Sequence, residues 1–394
     1  MRLMHLCLCG PYSDEYEYQD NLLPMKHHEM GYEVKVLVSQ ETWGENGVRG
    51  LREPQTYINK YNYEITVLPF KKNKFAYSYR MFEGLYDAIK EFQPDIIFCH
   101  GGLTFDYLQI VKYLKANTNV KFFLDSHMDF NISGLKYLKG FHYYMRLWLY
   151  KYVWGHCIRK LSIYATKVWG VTPARVDFLK QVFMVNPVKV DLLVMGGDEK
   201  CIDYDHADIY RSQLRKKCHI EEQDLLIVTG GKLDRYKNIQ NLIKAVKNLE
   251  GVHLAIFGSP DEEMKKIFEK EISTVKNVTM LGWATSEQIS EYFLGADLAV
   301  FPGRHSVLWE QAVLCGIPCV FLFAKGMQHV DVGGNCLFFK DDTIETIEEM
   351  IVNIKENRTL LNSMKEIATT KGREVFSYCN IAKRSIEIGE NDVE

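Results

Sequence analysis

No run in this chain approaches 18 uncharged apolar residues, so nothing in it reads as a membrane span. The apolar start, MRLMHLCLCGPYSDE, is too short for a signal peptide and no cleavage site follows, so it is expected to be a first buried strand. An excess of one charge is missing too. Lys and Arg number 48 against 51 Asp and Glu, a formal net charge of −3, which excludes a global attraction to nucleic acid. C-x-x-C is absent, and Cys315-x-x-x-Cys319 has no partner pair, so the ten cysteines offer no zinc framework. Cys7, Cys9, Cys99, Cys157, Cys315, Cys319 and Cys336 mostly sit in apolar runs, where a free thiol behaves as a small hydrophobe. This predicts a reducing compartment, where the glycosylation patterns Asn131-Ile-Ser and Asn277-Val-Thr go unused. Short-period repeats and low-complexity segments are also lacking.

What remains is ordinary globular composition: 394 residues, 47% hydrophobic and 25% charged, enough for about two or three domains with cores of their own. Apolar strand-like runs alternate with helical stretches. Leu3–Cys9 precedes a helical Asn21–Met30 capped by Gly31, and Glu33–Ser39, Ile65–Pro69, Phe82–Phe92, Ile96–Cys99, Phe105–Ala116 and Lys121–Leu124 continue the rhythm. A second series starts at Leu225–Val228 and runs through Ile239–Leu249, His253–Phe257, Glu262–Glu271, Val278–Leu281, Glu287–Phe293, Leu298–Phe301, Val307–Leu314 and Pro318–Leu322. This is the βαβ pattern of two doubly wound parallel sheets, whose ligands sit beyond the carboxyl ends of the strands.

Two segments carry chemistry. In Val228-Thr-Gly-Gly-Lys-Leu-Asp-Arg-Tyr-Lys-Asn-Ile a strand ends at two glycines and a loop bears Lys232, Arg235 and Lys237 before a helix. Neither a Walker A loop nor G-x-G-x-x-G is present, and alone the loop reads equally as a phosphate site or a solvated basic turn. In Leu298–Pro318 a strand ends in Pro-Gly and a helix is expected from near Ser306, its amide groups facing an anion. Glu310 one turn on reads either as a ribose ligand or as a complement to the helix dipole.

Together the segments resemble the donor half of retaining family 4 glycosyltransferases, and the resemblance extends over most of the chain. The family's G-R-L-x-x-x-K-G appears at Gly231–Asn238, its N-V-x-x-x-G at Asn277–Gly282, and its E-A-M-A-C-G-x-P at Glu310–Pro318. Gly196-Gly197-Asp198, Val332–Phe339 and Phe376-Ser-Tyr resemble the linker, the loop and strand after the donor site, and the start of the terminal helix. Tyr18-Gln-Asp-Asn-Leu-Leu-Pro resembles bacterial members that build surface polysaccharides. The resemblance implies a GT-B fold: α/β, with two Rossmann-like doubly wound domains facing a central cleft that closes over substrate. It implies an acceptor-side domain over 1–195, a nucleotide-sugar domain over 196–372, and a returning helix over 373–394. It further implies a retaining transferase of hexosyl or N-acetylhexosaminyl type, acting from a UDP- or GDP-sugar on a saccharide or lipid-linked saccharide, with no cofactor and no metal.

Residue by residue, Lys232 and Lys237 would hold the leaving diphosphate, Glu310 the ribose, and His127 of Phe122-Phe-Leu-Asp-Ser-His-Met-Asp the transferred sugar. Gly231, Arg235, Gly258, Trp283, His305, Ser306, Val307 and Leu308 would complete the donor site. Two departures stand out. Pro302 replaces the first Glu of the family's E-x7-E, which leaves a non-catalytic binding subunit as an alternative, and Lys232 replaces an Arg; a nucleotide-sugar epimerase of related architecture is a further alternative.

Other features read more plainly. Asp203-Tyr-Asp205 has a metal-site spacing but is expected to cap the helix Ala207–Lys217, and His27-His28-Glu29 is expected at the exposed end of the first helix. Loop Tyr12–Tyr18 is a candidate acceptor or phosphate contact. Between Asp129 and Asp177 there is no acidic residue, while residues 136–160 mix Lys and Arg with many aromatics. That suits either core helices with a basic face or an anionic membrane surface, so a cytoplasmic, peripherally bound protein is expected.

Overall fold

The computed structural model describes residues 1–14, 18–43 and 48–387, and the chain falls into two compact units, Met1–Val194 with the segment from Ile381, and Met195–Asn380. The candidate loop Tyr12–Tyr18 lies partly outside the described residues, at 15–17.

In the first unit, β1 (Arg2–Cys7), β2 (Glu33–Ser39), β3 (Glu41–Trp43), β4 (Arg49–Leu51), β5 (Thr56–Ile58), β6 (Glu64–Leu68), β7 (Ile96–Cys99), β8 (Lys121–Ser126), β9 (Lys167–Gly170) and β10 (Val190–Leu192) follow in order. Eight of them form one sheet in the order β10-β9-β8-β7-β1-β2-β6-β5, parallel except for β5 against β6, while β3 and β4 make a separate hairpin. The strand order reverses between β1 and β7, which places the topological switch there. Helix Gln19–Glu29 stops as the sequence predicts. Gly31 at φ 88° lets its own amide reach the His28 carbonyl and that of Tyr32 reach His27, closing a Schellman turn.

The second unit holds β11 (Leu225–Gly230), β12 (Val252–Phe257), β13 (Val278–Gly282), β14 (Leu298–Phe301), β15 (Cys319–Leu322) and β16 (Cys336–Phe339), all parallel in the order β13-β12-β11-β14-β15-β16. Every residue of β11 and β12 is buried, as expected of strands covered by helices on both faces. Here the switch lies between β11 and β14. Asn277 earns its place in the motif by donating to the carbonyls of Val246 (2.8 Å) and Val252 (2.9 Å), which ties a helix end to a strand start. Each unit has its own apolar core, one built on Leu6, Ile97, Phe122 and Phe178, the other on Ile227, Leu254, Val300 and Ile351.

Three expectations need correction. His27 is fully buried rather than exposed, because the terminal helix Tyr378–Ser385 covers that end of the first helix through Ala382 and Ser385. Asp203 caps nothing with its side chain: its Oδ2 instead accepts from His206 Nδ1 (2.7 Å) and Tyr210 OH (3.0 Å), holding the helix Ala207–Cys218 by side chains on its first turn. The helix expected from Ser306 begins at Leu308, so Ser306 lies in the approach loop.

Candidate functional site

At the switch point of the second unit the two chemistry-bearing segments are sewn together. Gly231 follows β11 at φ 106°, and Gly258 follows β12 at φ 106°. A Cβ on Gly258 would lie 1.9 Å from the Gly231 carbonyl oxygen, and one on Gly231 would lie 2.7 Å from Leu308. Backbone conformation therefore favours glycine at both crossings, and at Gly258 space requires it as well, since the atom it would meet is backbone. A Cβ on Gly303 would meet the Lys237 backbone at 2.4 Å, so the loop after β14 presses against the loop after β11. Arg304 N–H donates to the Tyr236 carbonyl (2.9 Å), and Lys237 Nζ donates to the Arg304 carbonyl (3.1 Å). Asn238 stands where the resembled motif has glycine, and it takes φ 52°, a left-handed conformation Asn tolerates. Its amide reaches Pro302 O (3.3 Å) and Asp342 Oδ2 (2.7 Å).

This junction is cationic. Arg235 and Arg304 both face the Tyr236 ring, at 4.8 and 3.8 Å from its centroid, with Lys237 beside them. Burial pushes the Lys237 ammonium below its usual range, opposed by Asp234 and reinforced by Arg304. Lys232 is exposed at the start of the same loop.

Glu310 lies fully buried on the helix Leu308–Cys315. Its Oε1 accepts from His305 Nε2 (2.7 Å) and His329 Nε2 (2.8 Å), while its buried Oε2 has no partner among the described residues. Burial opposes ionisation, but His305 and then His329 outweigh it and hold the carboxyl far below the usual carboxylate range. The arrangement presents one fixed, ionised oxygen that needs hydrogen-bond donors, as a pair of sugar hydroxyls would provide. The Ser306 hydroxyl is likewise buried without a partner.

In the first unit, Asp125 ends β8 and is fully buried. It accepts from Gly101 N–H (2.9 Å) and Gln19 Nε2 (3.1 Å), faces His100 Nδ1 at 3.2 Å, and lies 3.8 Å from His127 Nε2. His127 is the accessible member, its side chain 38% exposed. Asp129 serves a turn, accepting from the amides of Asn131 and Ile132.

Gly231, Gly258 and Leu308 thus meet, as do Lys237 and the β14 loop, and His305 and Glu310. Val307 is exposed at the helix start, and Trp283 stands 73% exposed on the loop after β13. Arg304, His329 and Asp342 were not foreseen, since the last two lie far along the chain with no local pattern. A hollow of about 390 Å³ lies at the opposite, amino ends of β11–β13, lined by Cys218, His219, Asp224, Gly251 and Asn277 among others. It contains none of these groups, and ligands of open α/β sheets bind at the carboxyl ends. Two sets, His305–Glu310–His329 and Cys7–Asp20–His100, bring metal-capable atoms within 4.8 Å of one another. In the first, both imidazole Nε2 atoms already hold Glu310 Oε1, and in the second, burial keeps the Cys7 thiol protonated, so we assign neither to a metal.

Residues 211–371 match the family model described as Glycosyl transferases group 1. Among curated proteins none matches the chain in sequence. Solved structures that resemble it over its length include a glycosyltransferase from Rickettsia africae, with 13% identity, TM-score 0.68 and coverage of 100% of this chain and 98% of that one. The Anabaena protein HepE in complex with UDP has 13% identity, TM-score 0.66 and 98% coverage of both chains. A sucrose-phosphate synthase from Thermosynechococcus elongatus has 15% identity, TM-score 0.65 and coverage of 98% and 97%. The chain thus has the GT-B fold, and its residues 211–371 are similar to the group 1 glycosyl transferase domain.

Proposed function

We propose that the protein transfers a sugar, with retention, from a UDP- or GDP-sugar to a hydroxyl of a saccharide or lipid-linked saccharide in glycoconjugate assembly. The observation that carries this reading is the junction at the β11/β14 switch: Lys237 is bonded to the loop after β14, and the helix that follows that loop bears Glu310, an ionised carboxylate whose Oε2 has no donor among the described residues. Breaking the anomeric C–O bond leaves charge on the diphosphate. Fixed cations at Lys237 and Lys232 stabilise that charge as it develops, with Arg235 beside them. Glu310 Oε2 accepts from the ribose hydroxyls, with Gly231 and Gly258 giving the backbone close access. His305 anchors Glu310. The backbone amides of Ser306, Val307 and Leu308 at the helix start, with the Ser306 hydroxyl, bind the phosphates, Trp283 lies along the base, and His127 touches the transferred sugar.

For a partner surface we propose the helix Gly140–Trp148 and the turn after it. Phe141, Tyr144, Trp148 and Tyr152 recur at helical spacing and are each more than half exposed, with Lys136, Lys139, Arg146 and Lys151 around them. Aromatic anchors within a basic field suit an anionic lipid surface, which fits a cytoplasmic protein working on a lipid-linked acceptor. Among the described residues no helix is long and apolar enough to cross a membrane.

The test is transfer and donor hydrolysis with a panel of nucleotide sugars, on the parent and on Lys237→Ala. Turnover in the variant is expected to fall roughly 100-fold or more, as for loss of an oxyanion-hole donor, with nucleotide affinity also reduced. Lys237→Arg should retain part of the activity. Unchanged turnover and affinity in Lys237→Ala would remove this loop from the mechanism. Nucleotide binding with neither transfer nor hydrolysis for any donor would favour a binding subunit.

A further inference from the structure

A string of three buried histidines runs through the first unit. His5 in β1 and His27 in the first helix are fully buried, and His100 just beyond β7 is 3% exposed. His100 Nε2 lies 2.9 Å from His5 Nδ1, and His5 Nε2 lies 3.1 Å from His27 Nδ1. His27 Nε2 in turn lies 3.0 Å from the Ala382 carbonyl and 3.2 Å from Ser385 Oγ on the terminal helix. At the other end His100 Nδ1 lies at ion-pair distance from two carboxylates, 3.2 Å from Asp125 Oδ2 and 3.3 Å from Asp20 Oδ1, without a well-angled hydrogen bond to either.

The terminal helix sets the direction of every bond in this string. A carbonyl oxygen can only accept, and Ser385 spends its one hydroxyl hydrogen on the same Ala382 carbonyl at 2.8 Å. Both partners of His27 Nε2 are therefore acceptors, and the proton sits on that nitrogen. A neutral His27 must then accept at Nδ1 from His5 Nε2–H, and a neutral His5 must accept at Nδ1 from His100 Nε2–H. His100 is left with Nδ1 against two carboxylates. Without a proton there, its lone pair would face theirs, so His100 takes the second proton.

We infer that the string holds His100 as an imidazolium, and that His100 acts as a positioning residue that keeps Asp125 ionised and fixed beside His127. The neighbouring groups agree. Among the described residues no carboxylate pairs with His5 or His27, and burial lowers both, His27 to about 4. Burial also opposes the charge on His100, but Asp125 first and Asp20 next outweigh it and raise its pKa. The thiols of Cys7, Cys9 and Cys99 stand around Asp125, pushed up by burial and so uncharged, with Arg80 facing Cys9. Gln19 donates to Asp125 Oδ2 and the Gly101 amide to Oδ1. The ion pair thus makes Asp125 a rigid anion at the strand end, against which the accessible His127 is oriented.

The role of His127 in transfer rests on the proposed function, but the charge state of His100 does not, and the two are tested separately. Histidine-labelled protein, assigned with single His→Gln variants, is observed by long-range proton–nitrogen correlation at pH 7.5. His27 and His5 are expected as neutral Nε2–H tautomers and His100 with both nitrogens protonated. A neutral His100, or a His27 protonated at Nδ1 alone, overturns the inference whatever the activity. In transfer assays His5→Leu interrupts the string, whereas His5→Gln can accept from His100 and donate to His27. His5→Leu should lower kcat by roughly tenfold, the low end for groups that orient a histidine, with donor KM nearly unchanged and the pH profile displaced. His5→Gln should restore most of it. If His5→Leu fails to fold, the spectrum of His5→Gln still decides, since His100 must remain doubly protonated in it. Equal kcat and pH profiles in folded His5→Leu and the parent would confine the string to a structural role.

Discussion

Acid should loosen the first unit through His27. The folded pKa is about 4 against an ordinary 6.5, caused by burial and only partly offset by the Ala382 carbonyl. Above pH 6.5 the imidazole is neutral in both folded and unfolded chains and contributes nothing to the pH dependence. Below it the unfolded chain takes up a proton that the folded chain refuses until about pH 4. Stability therefore falls with pH across that window, by about 1.4 kcal/mol per unit once well inside it. The loss is about 2 kcal/mol at pH 5 and about 3 kcal/mol at pH 4. His5, depressed by burial and by His27, adds in the same direction. The comparison is between the parent and His27→Gln, whose amide can donate to Ala382 and accept from His5 but does not titrate. Urea unfolding followed by hydrogen exchange at β1 reports the first unit alone. Between pH 7 and pH 5 the parent should lose about 2 kcal/mol more than the variant. Equal losses would mean that His27 is not held neutral, and the direction of the string would fall with it.

Gly258→Ala should destabilise the second unit by about 2 kcal/mol or more, because its Cβ would fall on the Gly231 carbonyl and no flexible side chain can yield. A thermal melt with an unchanged midpoint would show that the two loops do not cross as described. Transfer activity is expected to survive thorough chelation, and loss restored by manganese would return Asp203 with Asp205, or His305 with Glu310 and His329, to consideration as ligands. Binding to anionic vesicles should fall steeply with salt and weaken by about 1 kcal/mol for each of Lys136, Lys139, Arg146 and Lys151 removed. Equal binding to neutral vesicles would refute a charge-led contact.

The elements that could be read in advance are those whose periodicity or turn chemistry is local. Strand runs such as Leu298–Phe301 and the Gly31 helix stop are written in consecutive residues. β9 and β10 have four and three residues and were not foreseen. Neither carries the uninterrupted apolar run of Leu298–Phe301, since Lys167 opens β9 and Asp191 sits inside β10, and the pairing of such short segments depends on neighbours distant in the chain. The same limit explains His27. Its sequence context is a polar helix end, and what buries it arrives some 355 residues later in the terminal helix.

The two motif segments were legible as separate loops, but the reason for their residue types lies in the contact between them. Gly303 is small because Lys237 passes over it, and Asn238 holds a left-handed turn while its side chain binds the next loop. Pro302 fits this frame: its carbonyl, which any residue would supply, receives the Asn238 amide, so the position keeps its place in the junction without a carboxylate. The carboxylate that remains, Glu310, looked from its first-turn position like a helix-dipole complement. A dipole complement acts from an exposed first-turn position, where its charge keeps its hydration, and needs no partner. Glu310 instead is fully buried and held by two imidazoles, one of them 19 residues further along the chain. A group that costly to bury, with one oxygen left unpaired, is better explained by a ligand than by the helix it sits on.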